Sequence, residues 1–249
     1  MKKLLIFSLL IISQLSCDPE AALDCLQSEG EKETRDLNIS DLKRITIREN
    51  IRLEITFSET DRVKVVGGRQ HLDQLKIIQN GTEFEFKANG LCKTGFSEAP
   101  IVIKLQSSRL NYVRNSSQFE VISTNVLKFP ELSLISEDSN DSEALNLGNF
   151  TIKVDNERLN VVGNGISDFS ISGKTQRFNF GTFSGSGTVL ARELEADIVT
   201  FFHRSFRDAV VNPSQRLEGE LRSSGNLIST KKPPQVEVEE FYTGRLIFE

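Results

Sequence analysis

The chain of 249 residues has no tryptophan, two tyrosines, two histidines, one methionine and three cysteines. A typical sugar platform stacks on Trp or Tyr, so the 17 phenylalanines do not supply one. The histidines, His71 and His203, stand far apart and neither lies at ligand spacing from a cysteine. That pattern supplies neither a Ser-His-Asp set nor a zinc site, and no cofactor or metal is expected. Positive charge is also short: 30 Lys and Arg against 35 Asp and Glu give a net charge of −5. Nucleic acid and anionic membrane surfaces are therefore poor partners for the chain as a whole. Beyond the first residues no stretch is long and apolar enough to span a membrane as a helix.

What is present begins with a leader. Lys2 and Lys3, the apolar run Leu4 to Ile12, and Gln14-Leu15-Ser16-Cys17 read as a secretory signal over residues 1–16. Leu-Ser-Cys resembles a bacterial lipobox, in which Cys17 is acylated, although Gln14 stands where that pattern prefers an apolar residue. An ordinary leader that leaves Cys17 free is the alternative. Acylation would anchor the chain stably by more than one fatty chain. Removing Lys2 and Lys3 takes the net charge from −5 to −7. With Cys17 lipidated, Cys25 and Cys92 remain as an even pair in an oxidising compartment, where a disulfide is expected. Closing a loop of that length would contribute about 4 kcal/mol in the chain-entropy description.

The C-terminal half repeats. Units with an apolar first position begin at Leu159, Phe178, Ile198, Leu217 and Val236, at spacings of 19, 20, 19 and 19 residues. Three of them add a third-position apolar residue (Val161, Phe180, Val238), as a strand with one buried face requires, while Thr200 and Gly219 break the pattern. A small or turn-forming residue follows in most units, most clearly in Ser184-Gly185-Ser186-Gly187, and then a second apolar stretch such as Val189, Ala209-Val210, Leu227-Ile228, or Leu246 and Phe248. Two strands and two corners per ~20 residues describe a stacked β-coil better than a propeller blade of ~40 residues.

The cadence LxVxxSGSGxIxLxG, present here as LNVVGNGISDFSISGK from 159 and FNFGTFSGSGTVLARELEA from 178, resembles the adhesin head GIN domain family of envelope proteins in Bacteroidetes-type bacteria. The resemblance extends upstream to Asp24-Cys25-Leu26-Gln27 and to Leu42–Ile47 and Ile51–Ile55, and so covers nearly all of the mature chain. It implies a β-helical fold and a surface role, with no established chemistry.

The expected architecture is all-β: an antiparallel N-terminal cap sheet leading into a right-handed β-solenoid with coils of about 19–20 residues. The division is a signal over 1–16, a lipidated polar tether over 17–36, the cap over 37–122 and the solenoid repeats over 123–249. Asn80-Gly81, between Leu75–Ile78 and Glu83–Phe86, signals a hairpin.

Candidate sites are few. Ser184-Gly185-Ser186-Gly187 lacks the Lys-Ser/Thr ending of a phosphate loop and reads as a repeat corner. Second positions of the units, Asn160, Asn179, Val199, Glu218 and Glu237, should stack outward as an amide ladder running into an acidic stripe or half of a cation site. His203, Arg204, Arg207 and Arg222, beside Phe201, Phe202 and Phe206, form a candidate patch for an acidic glycan or a partner's carboxylates; the competing reading buries the Phe side chains and pairs the cations with nearby Glu. The functional expectation is a non-enzymatic envelope lipoprotein, held to the outer membrane by its lipid alone and displaying a binding surface to a glycan or surface protein. The alternatives are a β-helical polysaccharide lyase or hydrolase, for which no set of carboxylates plus a base is evident, and a structural or sensing envelope component.

Overall fold

The computed structural model describes residues 30–88, 99–137 and 144–249. The leader, Cys17, Cys25, Cys92 and the acidic stretch 138–143 lie outside them. Among the described residues there are 17 strands, which form one curled, open sheet. In chain order they are β1 (Lys32–Leu37), β2 (Arg44–Glu49), β3 (Ile51–Phe57), β4 (Arg62–Gly68), β5 (Leu75–Asn80), β6 (Glu83–Ala88), β7 (Ile101–Ser107), β8 (Tyr112–Ser117) and β9 (Val121–Ser123). There follow β10 (Glu131–Ser136), the long β11 (Phe150–Gly165), β12 (Phe169–Gly185), β13 (Val189–His203) and β14 (Ala209–Leu221), then β15 (Leu227–Ser229), β16 (Gln235–Glu240) and β17 (Leu246–Phe248). One short helix, α1 (Arg69–Asp73), follows β4.

The long strands take part in two ladders at once. The first half of β11 pairs with β9 and its second half with β10, and β14 divides in the same way between β15 and β16. From β11 to β14 every pairing is parallel, with Leu159 beside Phe178, Phe178 beside Val199, Val199 beside Leu217 and Leu217 beside Val236. The offsets are 19, 21, 18 and 19 residues, so the third unit starts at Val199 and not at Ile198. Thr200 is then a second-position residue and Phe201 fills the third, which removes one of the two breaks in the pattern. The physical cause is compensating irregularity: β13 carries extra residues after Leu190 and β14 carries one near Arg216, so the spacing wanders while the pairing holds.

Alternation buries one side of each ladder. In the second ladder the inward column runs Phe84, Ile45, Val113, Leu134, Val161, Phe180, Phe201, all buried. In the first it runs Leu53, Val121, Phe150 and Phe169, whose last two rings stack at 4.7 Å. Both columns belong to a single apolar cluster. Burying a large apolar side chain contributes roughly 1.5–3 kcal/mol, so these columns are the main support of the fold.

The N-terminal region departs from the expected antiparallel cap. β5–β6 is the antiparallel hairpin signalled by Asn80-Gly81, and β1–β4 and β4–β7 are also antiparallel. Yet β2 lies parallel between β6 and β8, and β3 parallel between β7 and β9. The region is mixed because these strands already stack in parallel with the units that follow, and the ladders pass across residues 122 and 123 without a break. Lys32–Leu37, at the end of the stretch expected as a tether, is a strand paired with β4. Its alternation is carried by charged residues, with Glu33 and Arg35 half-buried and bonded to each other, so no apolar period marks it.

Candidate functional site

Column registers decide which outward side chains become neighbours. At the end of the second ladder, Arg204 N–H donates to Thr182 O, Arg222 N–H to His203 O and Phe241 N–H to Leu221 O, which places Phe183, Arg204, Arg222 and Phe241 at successive rungs of one corner. Phe183 is 44 % exposed and stacks on Phe202 at 5.2 Å; Phe241 is 48 % exposed and lies 3.6 Å under the Arg222 guanidinium. The Arg222 Nε also donates to Glu220 at 2.6 Å. Arg204 is exposed and forms no side-chain ion pair among the described residues. This corner strip of aromatic rings and guanidinium groups can hold a planar or carboxylate-bearing partner by stacking and charge together.

The four candidate patch residues separate into three environments. Arg204 and Arg222 are in the strip. Arg207 instead grips Asp168 with two bonds of 2.6 and 3.0 Å and adds a third to Ser186 O, clamping two loops of the repeat together. His203 is fully buried, bonded through Nδ1 to Thr182 Oγ1 and through Nε2 to Arg207 O, both at 2.8 Å. Because a carbonyl can only accept, Nε2 carries the proton and Nδ1 accepts from the threonine. Burial pushes the imidazole below its ordinary pKa, only partly offset by the bond to the Arg207 carbonyl. His203 therefore contributes packing and no surface charge. Of the three phenylalanines, Phe201 is buried, Phe202 half-buried and Phe206 exposed, so only the first follows the core reading.

Ser184 to Gly187 lies at the turn leaving β12. The N–H groups of Ser186 and Gly187 both donate to Gly165 O at 2.9 Å, and Ser186 O receives Arg207. Donors already satisfied by the previous unit cannot cradle a phosphate.

The outward second-position ladder is longer than the sequence suggested. Glu83, Arg44, Tyr112, Ser133, Asn160, Asn179, Thr200, Glu218 and Glu237 follow one another in register. Val199 is excluded, since it is an inward, buried residue. Asn179 Nδ2 donates to Asn160 Oδ1 at 2.9 Å and Thr200 Oγ1 to Glu218 at 3.0 Å. Arg216 bonds both Glu218 (2.7 Å) and Glu237 (3.1 Å). A guanidinium thus occupies the place between the two carboxylates where a cation would sit.

Sequence reasoning missed a second surface. Val189-Leu190, Ala209-Val210, Leu227-Ile228 and Leu246-Ile247 are adjacent apolar pairs, and a strand can turn only one member of such a pair inward. The other members, Leu190, Val210, Ile228 and Ile247, stand outward on four consecutive rungs. The doubled apolar residues were the available signal.

Fold and register together define an all-β protein built from repeating strand units. The pattern describing the family "Putative auto-transporter adhesin, head GIN domain" matches residues 41–233. The chain belongs to that family. Among solved structures it is similar to a "putative adhesin" from Bacteroides fragilis (17 % identity, TM-score 0.77) and to a "putative lipid binding protein" from Parabacteroides distasonis (17 %, TM-score 0.66). A third is a "putative adhesin" from Parabacteroides merdae (16 %, TM-score 0.59). Each likeness covers 88 % of this chain and 97 % of the other, and at such identities it concerns the fold. A search of curated proteins returns no match.

Proposed function

We propose that this protein is a non-enzymatic lipoprotein of the cell envelope, tied to the outer membrane by acylated Cys17 and contacting a carboxylate-bearing partner through the corner strip. The single observation that carries the reading is the alternation of exposed Phe183, half-buried Phe202 and exposed Phe241 with Arg222, beside Arg204, which has no ion pair among the described residues. Such aromatic and Arg clusters are the usual energetic centres of binding surfaces. Membership of an adhesin-type family supports an envelope location. The parallel stacking at 18- to 21-residue offsets supports a right-handed β-solenoid, the hand that parallel crossovers adopt. A Cys25–Cys92 disulfide would staple the start of the mature chain to the segment after β6.

The test is an array of acidic glycans and acidic surface proteins probed at low and high salt with the parent, Arg204→Ala and Arg222→Ala. Binding that weakens with salt and with either substitution supports the proposal, because exposed charge contacts are screened. Binding indifferent to both refutes the strip. Fatty-acid labelling of the parent and of Cys17→Ser tests the anchor, and mass spectrometry of exported protein without reductant tests the disulfide. Proteolysis of intact cells separates display at the surface from a periplasmic location.

A further inference from the structure

The outer face of the first ladder is divided along its length. Starting from β11, one outward column reads Thr151, Ser170, Leu190, Val210, Ile228, Ile247: two hydroxyls, then four aliphatic side chains. Leu190 is 38 % and Ile247 43 % exposed, with Val210 and Ile228 half-buried between them. Three rung spacings make this ridge roughly 14 Å long. A second outward column runs beside it as Lys153, Ser172 and Glu193. Between the columns lies a groove of about 380 Å³ bounded by Ser123, Thr151, Lys153, Ser170, Leu190 and Val210. That volume is within the range of small-molecule sites. Its far wall exists because the extra residues of β13 push Arg192 and Glu193 outward.

Charge follows the same division. Lys153 is exposed and forms no ion pair among the described residues, whereas Arg192 is neutralised by Glu249. Ser123 uses its hydroxyl to accept from Lys153 N–H, leaving Thr151, Ser170 and Ser172 toward the groove. Among the described residues the polar end therefore offers an unpaired Lys153 and a set of hydroxyls, and the other end offers a straight aliphatic track. Glu193, at the Leu190 rung, repels anions from the track itself.

We propose that this groove binds a single-chain amphiphile, its anionic head on Lys153, Thr151, Ser170 and Ser172 and its acyl chain along Leu190, Val210, Ile228 and Ile247. A lone molecule fits where a charged bilayer does not. The net charge of −5, together with Glu193, opposes a wide anionic surface, but one head group beside Lys153 lies well within the screening length. The groove shares no residue with the corner strip, so either can fail without the other.

The experiment is calorimetric titration of the chain with dodecanoate below its micelle concentration, beside octanoate, dodecanol and vesicles of zwitterionic and of anionic lipid. Saturable one-to-one binding of dodecanoate is expected. Octanoate, which covers fewer rungs, should bind at least tenfold more weakly. Leu190→Asp and Ile228→Asp should each weaken dodecanoate at least tenfold, and Lys153→Gln should weaken dodecanoate but not dodecanol. Leu190 points to solvent, so its substitution keeps the fold and carries the test if Ile228→Asp does not. Absence of dodecanoate binding, binding unchanged by Leu190→Asp, or binding to vesicles without binding to the monomer overturns the proposal.

Discussion

Thr182 Oγ1 donates to His203 Nδ1 at 2.8 Å inside the second ladder, on two strands paired at that very position. The bond holds the imidazole neutral, and its other nitrogen holds the loop that carries Arg207. Burial lowers the folded-state pKa beneath the ordinary 6.5, so the unfolded chain binds the proton more readily. The stabilisation is fully present above about pH 6.5 and is lost as pH falls through the folded value. Thermal unfolding followed from pH 8 to pH 4.5 should show melting temperature falling on the acid side, and His203→Gln should flatten that component while lowering the melting temperature at pH 8.

Arg207 and Asp168 join loops two units apart, with side chains 41 % and 24 % exposed. Partial exposure weakens the pair, so a double-mutant cycle of Arg207→Ala and Asp168→Ala in urea should give a coupling of about 0.5–1 kcal/mol. Coupling near zero would mean that the clamp is dispensable.

Gly173 has φ of +105°, and a Cβ there would meet Val154 O at 2.0 Å, whereas Gly81 has φ of +61° with open space around it. Gly173→Ala should cost about 1–3 kcal/mol or more, since strain and collision with the neighbouring backbone add. Gly81→Ala carries only the strain of its hairpin turn, about 1 kcal/mol. Comparable losses in chemical denaturation would contradict this ordering.

Phe169 is fully buried and stacked on Phe150. Phe169→Ala should lose about 3–5 kcal/mol and Phe169→Leu markedly less, since Leu leaves a smaller cavity. Equal losses would imply that the site collapses around either residue.

Much of the fold was legible in the sequence. Alternation and period located the repeat strands from Leu159 onward but not the register of Phe150 to Leu159, and Asn80-Gly81 marked the β5–β6 hairpin. Pairing direction in the N-terminal region was not legible, because period-two alternation is the same for parallel and antiparallel neighbours. β2 finds β6 and β8 dozens of residues away, with no signal in between. Val199 was misassigned because Ile198 and Val199 are both apolar, and only pairing with Phe178 and Leu217 shows which faces in. For the site, composition identified Arg204 and Arg222 but could not tell that His203, one residue away, points into the core. Its partner Thr182 lies 21 residues earlier, and only the register joins them.

The parallel registers from β11 to β17 have a mechanical meaning. In parallel pairs the interstrand hydrogen bonds are evenly spaced and slanted, and they bridge each strand to the next along the direction in which the rungs accumulate. Tension applied between the two ends of that stack loads a few of those bonds at a time, so rungs should peel one after another at modest force. Each release frees 18 to 21 residues, or roughly 60–70 Å of extended chain. In a single-molecule stretching record that would appear as a staircase of nearly equal steps, a compliant spacer that lengthens under load while its remaining rungs stay folded.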